Sequence, residues 1–405
     1  MYRYVTELKA LVIDIDSFAE IDYSSWDEIA GKFSCLFLTL RKELKDCLAQ
    51  RYGQTAVYLM NEYLQKFAPT PVLHSDVLKI LNVKTTELAY VSCNINFLRR
   101  ALTFCSGTVW IREKITYGEI STSPDIICKD FSDFMNHLKS GDGGFVCEKC
   151  LSNSKNVVGS IVPVVFPIDE KPAPIFVLGR YYGYSHYMKQ KHPYSAAIYW
   201  NKKKGSKSYG SFEEIFSKMY QATVNAIGRQ IHIDAICSVP PHLGEESRFV
   251  HTVERIAEKL KLENLGENFV CIKEYPKQRG MSSGGRQENI TGAFQYMGNL
   301  EGKNVILLDD VVTTGSTLRE CVKTLYQAGA ENVISIVLAV NQFPGNYWSS
   351  AEPEVICPYC GETMHLLVNS TRKTFFYSCY QCQHSLNFDT GWKQLCDSIN
   401  NENYP

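Results

Sequence analysis

A chain of 405 residues, 45% hydrophobic and 12% aromatic, is long enough for two or three domains, each with a packed core. Its 42 basic and 43 acidic side chains leave a formal charge of −1, which gives no electrostatic reason to expect nucleic acid or an anionic membrane as a general partner. Met1 to Glu7 lack the apolar core of a secretory signal, and runs such as Val333 to Val340 are too short to span a bilayer, so a cytoplasmic protein is expected. The 15 cysteines are an odd number in a long chain, and several fall in C-x-x-C pairs, which favours metal sites and buried thiols over disulfides.

In chain order, Leu8 to Asp16 (LKALVIDID) is an apolar strand that closes on two carboxylates. Helical patterning is expected around Ile29 to Leu48 and Val57 to Phe67, with a short helix over Ser75 to Leu81. A strand at Leu88 to Ser92, a helix over Asn96 to Phe104, a strand at Thr108 to Ile111 and the run Pro124 to Ile127 complete the alternation. Such alternation predicts a doubly wound sheet. With Asp14 and Asp16 as a D-x-D pair and Pro124-Asp125 in a late strand, the order resembles the haloacid dehalogenase (HAD) superfamily. The resemblance implies Asp14 and Asp16 as nucleophile and acid and as candidate Mg²⁺ ligands. That family carries a second acidic group after the strand read as Leu88 to Val91, where this chain has Ser92-Cys93-Asn94, and its lysine has no counterpart closer than Lys66 or Lys84. A missing carboxylate weakens a metal site, so residues 1–142 are expected to be a degenerate domain serving as scaffold or sensor, the alternative being a working phosphatase.

Lys139 to Gly144 (KSGDGG) reads as a linker. Cys147-Glu148-Lys149-Cys150 follows, half of a zinc knuckle with no second pair nearby, leaving Cys147 and Cys150 as candidate zinc ligands or as unligated thiols. Ile161 to Tyr199 reads as strands and turns, Lys202 to Lys204 as a basic segment, and Phe212 to Ile227 as an amphipathic helix. Ile233 to Val239 is a buried parallel strand stopped by Pro240-Pro241-His242. The helix opened by Arg248-Phe249 repeats apolar residues at Val253, Ile256, Ala257 and Leu260. Lys273 to Arg286 is basic and rich in Gly and Ser, with Lys273, Lys277, Arg279 and Arg286 on a segment unsuited to regular structure.

Val305 to Thr317 (VILLDDVVTTGST) carries the densest chemistry. Four apolar residues suit a central parallel strand, and Asp309 and Asp310 follow at its carboxyl end, where open α/β sheets bind ligands. Thr313 to Thr317 holds only small residues, Gly315 can take φ > 0, and a helix from about Leu318 to Ala328 adds its N-terminal dipole, so a phosphate is the natural guest. The whole run resembles the phosphoribosyl-pyrophosphate (PRPP) signature of the type I phosphoribosyltransferases. Arg286-Gln287-Glu288-Asn289-Ile290-Thr291-Gly292-Ala293-Phe294 resembles the R-x-x-N-x-x-G-A-F run of their ComF-like branch. The resemblance covers about residues 230–341, within a domain expected over 143–350. It implies that Asp309 and Asp310 hold the ribose hydroxyls, that Thr313, Thr314, Gly315, Ser316 and Thr317 hold the 5′-phosphate, and that Val311 and Val312 belong to the same PRPP-binding run. It further implies that Pro240, Pro241 and His242 meet the pyrophosphate, and that Lys277, Arg279 and Arg286 belong to a lid, Arg286 acting in catalysis. Mg²⁺ would come with PRPP, and a homodimer stays open. Thr313 stands where the 6-oxopurine salvage enzymes carry a carboxylate, which counts against hypoxanthine or guanine as acceptor.

Cys357-Pro358-Tyr359-Cys360 and Cys379-Tyr380-Gln381-Cys382 stand 18 residues apart with β-prone sequence between them, the pattern of a zinc ribbon over 351–405. From Ala351 onward three bases face six acids, so a protein contact or a substrate cap is expected rather than nucleic acid. The expected fold class is therefore α/β: a doubly wound HAD-like domain, a Rossmann-like type I phosphoribosyltransferase domain and a small zinc ribbon. The expected function is transfer of a 5-phosphoribosyl group from PRPP to an unidentified acceptor with release of pyrophosphate, the alternative being a non-catalytic PRPP- or nucleotide-sensing regulator.

Overall fold

The computed structural model describes residues 7–20, 22–140, 144–151, 159–166, 168, 171–183, 186–275, 290–343 and 354–401. The first unit is a six-stranded parallel sheet in the order β3-β2-β1-β4-β5-β6, built from β1 (Ala10–Asp14), β2 (Ser34–Thr39), β3 (Val57–Leu59), β4 (Leu88–Ser92), β5 (Gly107–Ile111) and β6 (Ile126–Cys128). β1, β4 and β5 are buried at every position, as parallel strands covered by helices on both faces must be. Those helices are α1 (Tyr23–Ala30), α2 (Lys42–Tyr52), α3 (Glu62–Phe67), α4 (Pro71–Leu81), α5 (Ile95–Ala101), α6 (Tyr117–Ile120) and α7 (Phe131–Ser140).

The doubly wound expectation holds, with two corrections. The helix expected over Ile29 to Leu48 is two helices separated by β2, and the one expected from Val57 opens as β3. Cys35 to Thr39 is buried at every position, so it shows neither the period of a helix nor that of a half-exposed strand, and a short apolar run of this kind is ambiguous. Helix α4 starts at Pro71 rather than Ser75, because the Thr70 hydroxyl accepts from Leu73 N at 3.2 Å and Pro71 fits the first helical position.

The second unit has seven strands among the described residues. Its path is β11-β10-β14-β15-β8-β7, and β9 also pairs with β15. The strands are β7 (Val162–Phe166), β8 (Ala173–Val177), β9 (Arg180–Tyr182), β10 (Ala235–Ser238), β11 (Glu263–Asn264), β14 (Asn304–Val312) and β15 (Asn332–Gln342), while β12 (Phe269–Cys271) and β13 (Phe294–Tyr296) form a separate hairpin ladder. Alternate residues of β14 serve opposite layers. Ile306 and Leu308 pack under α9 (Pro193–Lys202), α10 (Glu213–Gly228) and α11 (Val250–Leu260). Val305 and Leu307 pack under α12 (Ser316–Gln327). The segment expected to hold only strands and turns thus closes on a helix, α9, which ends at Lys202.

The two units are joined well before the glycine-rich linker, through residues 116–125. Ser123 N donates to Gln342 Oε1 at 2.8 Å, and Phe343 N donates to Ser121 O at 2.9 Å. Beneath them lies a buried ion cluster. Arg180, 2% exposed, reaches Asp125 Oδ1 at 3.0 Å from the first unit and Glu148 Oε2 at 2.8 Å from α8 (Val146–Cys150). His192 Nε2 stands 3.2 Å from the same Glu148 oxygen. Burial alone would raise the Glu148 pKa, but Arg180 and His192 hold it well below the usual range. Asp125 is also bound by Thr108 N and Oγ1. It precedes β6 and sits three strands from Asp14, so this carboxylate is an inter-unit anchor and not a partner of the D-x-D pair.

The C-terminal unit is a three-stranded sheet, β16 (His365–Asn369), β17 (Thr374–Ser378) and β18 (Ser385–Asn387), closed by a helix that the sequence reading missed, α13 (Phe388–Asn401). Leu395 and Ile399 of α13 share a core with Tyr377, with Cys105 of the first unit and with Tyr182 and Met188 of the second. Asn400 is hydrogen-bonded to Thr86. No helix among the described residues is long and apolar enough to cross a membrane.

Removing Arg180 leaves two buried carboxylates uncompensated. Arg180→Met is therefore expected to cost about 3–5 kcal/mol in urea unfolding at neutral pH. Asp125→Asn, which keeps an acceptor for Thr108, should cost less. Near-wild-type stability of Arg180→Met would remove the cluster from the account.

Candidate functional site

The loop after β14 is shaped by a glycine. Gly315 has φ 79° and caps α12, and a Cβ there would lie 2.5 Å from Phe166 Cζ and 3.2 Å from Tyr117 Cζ. Only glycine meets both demands. The loop's support comes from the other unit: Tyr117 Oη donates to Thr313 O at 3.1 Å, and its ring packs on Phe166 with centroids 4.5 Å apart. Thr314 Oγ1 and Ser316 Oγ are 3.2 Å apart. The loop thus leads directly into the N-terminus of α12, whose dipole favours negative charge.

β14 runs further than expected, through Val312, because its ladder with β15 continues at Val311↔Ala339 and Val312↔Val340. Asp309 and Asp310 are therefore strand residues and face opposite ways. Asp309 lines a cleft of about 470 Å³ together with Pro240, Pro241, His242, Val311, Thr313 and Thr317. Asp310 lines a neighbouring cavity of about 290 Å³ between α9, α10 and α11. Val312 is buried in the core, 3% exposed. Arg279, Lys277 and Arg286 lie outside the described residues. The run after them is anchored, with Gly292 N donating to Glu320 Oε1 at 2.7 Å.

Asp310 is held by two cations, Arg248 Nη1 at 2.7 Å and Lys202 Nζ at 3.0 Å, and its Oδ1 accepts from Val311 N at 2.5 Å. Burial would raise its pKa, but Lys202 and Arg248 hold it below the usual carboxylate range. Among the described residues Asp309 has no such pair. Burial and then the Asp310 charge push its carboxyl up. Tyr220 Oη donates to Asp309 O at 2.6 Å and fixes the strand beneath them. Arg248 and Lys202 were legible only as a helix start and a lysine cluster, and nothing in the sequence ties Tyr117 or Phe166 to the loop.

The four ribbon thiols converge. Cys357 Sγ is 3.5 Å from Cys382 Sγ, Cys360 Sγ is 3.4 Å from Cys379 Sγ, and all four lie within 4.8 Å of one another. The two knuckles repeat one turn, with Gly361 and Gln383 at positive φ after the second cysteine of each. Four sulfurs about 3.8 Å apart are what Zn²⁺ holds at about 2.3 Å, so this cluster can take a metal such as zinc. Cys147 and Cys150 differ: Cys147 is buried, Cys150 is exposed, and among the described residues no third ligand joins them. The carboxylate between them, Glu148, is committed to Arg180. All 15 cysteines are free thiols.

Asp14 ends β1 beside Ser92 at the end of β4, where the strand order reverses and doubly wound sheets bind ligands. Ser92 Oγ donates to Asp14 Oδ2 at 2.7 Å. Asp16 is spent on its neighbours, accepting from Thr39 Oγ1 at 2.9 Å, Leu40 N at 2.6 Å and Arg41 Nε at 2.8 Å.

Comparison with known proteins finds similarity in the region of β14. The profile of the phosphoribosyl transferase domain family matches residues 253–351. Competence protein F of Haemophilus influenzae is 34% identical over 83 residues, 20% of this chain and 36% of that protein. Ribose-phosphate pyrophosphokinase of Saccharolobus solfataricus is 24% identical over 143 residues, 29% of this chain and 47% of that protein. Transcriptional regulator GfcR 2 of Methanosarcina barkeri is 46% identical over 41 residues, 10% of this chain and 20% of that protein. This chain thus spans less than half the length of each of these relatives. The family match spans about a quarter of this chain and lies within the second unit.

Burial, and after it the Asp16 charge against the opposing Ser92 hydrogen bond, pushes Asp14 up from its ordinary 3.8 to about 6. The folded protein holds this proton more tightly than the unfolded chain, so stability falls as pH rises from 3.8 to about 6 and is flat above. Asp14→Asn is expected to gain up to ~3 kcal/mol in unfolding free energy at pH 7 and little at pH 4. An equal effect at both pH values would contradict an Asp14 whose proton is held by burial.

Proposed function

We propose that this chain is a PRPP-dependent phosphoribosyltransferase, moving the 5-phosphoribosyl group to an unidentified acceptor with release of pyrophosphate. The observation that carries the reading is convergence: Asp309, the Thr313 and Thr317 loop positions and the Pro240–His242 turn line one cleft. In this reading the loop amides and the α12 dipole take the 5′-phosphate, Asp309 accepts from the ribose hydroxyls, and the turn after β10 faces the pyrophosphate. Displacement at the anomeric carbon passes through an oxocarbenium-like ribose, so positioning and a nearby carboxylate contribute without a protein nucleophile. Asp309 and Glu245 offer the cleft the hard oxygen donors that suit Mg²⁺, and Mg²⁺ with PRPP would disperse charge on the leaving group.

A non-catalytic PRPP- or nucleotide-sensing role is the second reading. Asp310 already tied to Arg248 and Lys202 favours it, as does similarity to a protein named as a transcriptional regulator. Pyrophosphate release across a panel of acceptors separates the two, since a sensor binds PRPP without turnover. In either case Asp309→Asn removes charge-assisted hydrogen bonds of about 1.5–3 kcal/mol, which weakens calorimetric PRPP binding by ~10-fold or more. Unchanged PRPP affinity in Asp309→Asn, alongside lost thermal stability, would leave Asp309 only a structural role.

For the N-terminal unit we infer a scaffold or sensor without phosphatase activity. The support is that Asp16 is committed to Thr39, Leu40 and Arg41 and that Ser92, not a carboxylate, meets Asp14. Brisk Mg²⁺-dependent hydrolysis of a phosphate ester, lost in Asp14→Asn, would overturn this. The four-cysteine ribbon is read as a structural Zn²⁺ site, closed to water and therefore not catalytic.

A further inference from the structure

Far from the cleft, three side chains of different chemistry meet where β6 runs into α7. Cys128 ends β6 and is fully buried. Asp133 and His137 stand one turn apart on α7, so the helix presents both on one face. Cys128 Sγ, an Asp133 carboxylate oxygen and a His137 ring nitrogen all lie within 4.8 Å of one another, and His137 Nε2 is 3.5 Å from Asp133 Oδ1. We propose that Cys128, Asp133 and His137 form a second metal site, for a divalent transition ion of the Zn²⁺ type, separate from the four-cysteine ribbon.

The donor set selects the class of ion. One sulfur, one imidazole nitrogen and one carboxylate oxygen suit Zn²⁺ or Co²⁺, whereas Mg²⁺ and Ca²⁺ demand oxygen throughout. Zn²⁺ bonds of about 2.0–2.3 Å set such donors about 3.3–3.8 Å apart, so side-chain rotations of about 1 Å complete the shell. The carboxylate is oriented in advance: Lys129 N donates to Asp133 Oδ2 at 3.0 Å, while Asp133 N is itself capped by Asp130 Oδ1 at 2.8 Å. That leaves Oδ1 on the His137 side, the role outer hydrogen bonds play at metal centres. Charge also balances. Binding releases the Cys128 proton to solvent, and the resulting thiolate with the Asp133 carboxylate cancels the +2 ion. Three protein donors leave a fourth position for water. The ion would tie the short strand β6, whose other end follows the Asp125 anchor, to the last helix of the first unit.

Metal content by elemental analysis of the full chain, purified with zinc and without chelator, tests this. The wild type is expected to hold one equivalent more than His137→Ala, while the ribbon equivalent stays in both. Asp133→Asn, which keeps an acceptor for Lys129 N, gives a second reading should His137→Ala fold poorly, and it should weaken Co²⁺ binding at this site at least tenfold. Equal metal content and equal Co²⁺ affinity in the wild type and both folded variants would overturn the site and leave an ordinary His–Asp helix pair beside a buried thiol.

Discussion

Two like charges on neighbouring residues at the end of a strand buried on both faces are the constraint around which the second unit is built. In that low-dielectric setting Asp309 and Asp310 cannot both stay ionised without help. The fold treats them differently. Asp310 receives Lys202 from the end of α9 and Arg248 from the approach to α11, and is held ionised. Asp309 forms no ion pair among the described residues, and burial with the Asp310 charge pushes its carboxyl up against the weaker pull of Lys202 and Arg248. The basic segment before α10 and the residues before α11 therefore stand where Asp310 needs charge, and in standing there they wall the cavities on either side of β14.

The loop after β14 depends on a second constraint, one that crosses between units. Gly315 is pressed by Phe166, and Thr313 is held by Tyr117 of the first unit. The contact is kept in place by polar groups that cannot be released cheaply: Arg180 between Asp125 and Glu148, and Gln342 against Ser123 and Ile120. A scaffold reading of the N-terminal unit gains physical content from this. Its service to the rest of the chain is to hold the loop after β14, whatever its own crevice at Asp14 does.

Much of this was legible where chemistry is carried by neighbours in the chain. Val305 to Thr317 encodes strand, carboxylates, loop and helix start within thirteen residues, and the paired C-x-x-C knuckles announce their convergence by spacing alone. Two strands were lost, β2 because a short run covered on both faces has no period to read and β3 because an edge strand of three residues is too short to show one. The strand's extension through Val312 was invisible for a related reason, since only the β15 ladder shows that pairing continues past the carboxylates. Contacts between distant residues left no signal at all. Tyr117 and Thr313 are 196 positions apart, and Asn400 meets Thr86 across 314.

The central claim is that the C-terminal end of β14 cradles a ribose phosphate. A crystal structure of the protein with ribose 5-phosphate tests it most directly. The account predicts the phosphate on the backbone amides of Thr313 to Thr317 and the sugar hydroxyls against Asp309. Phosphate bound elsewhere, for instance at the Asp14 and Ser92 crevice with the Thr313 to Thr317 loop unoccupied, would contradict it.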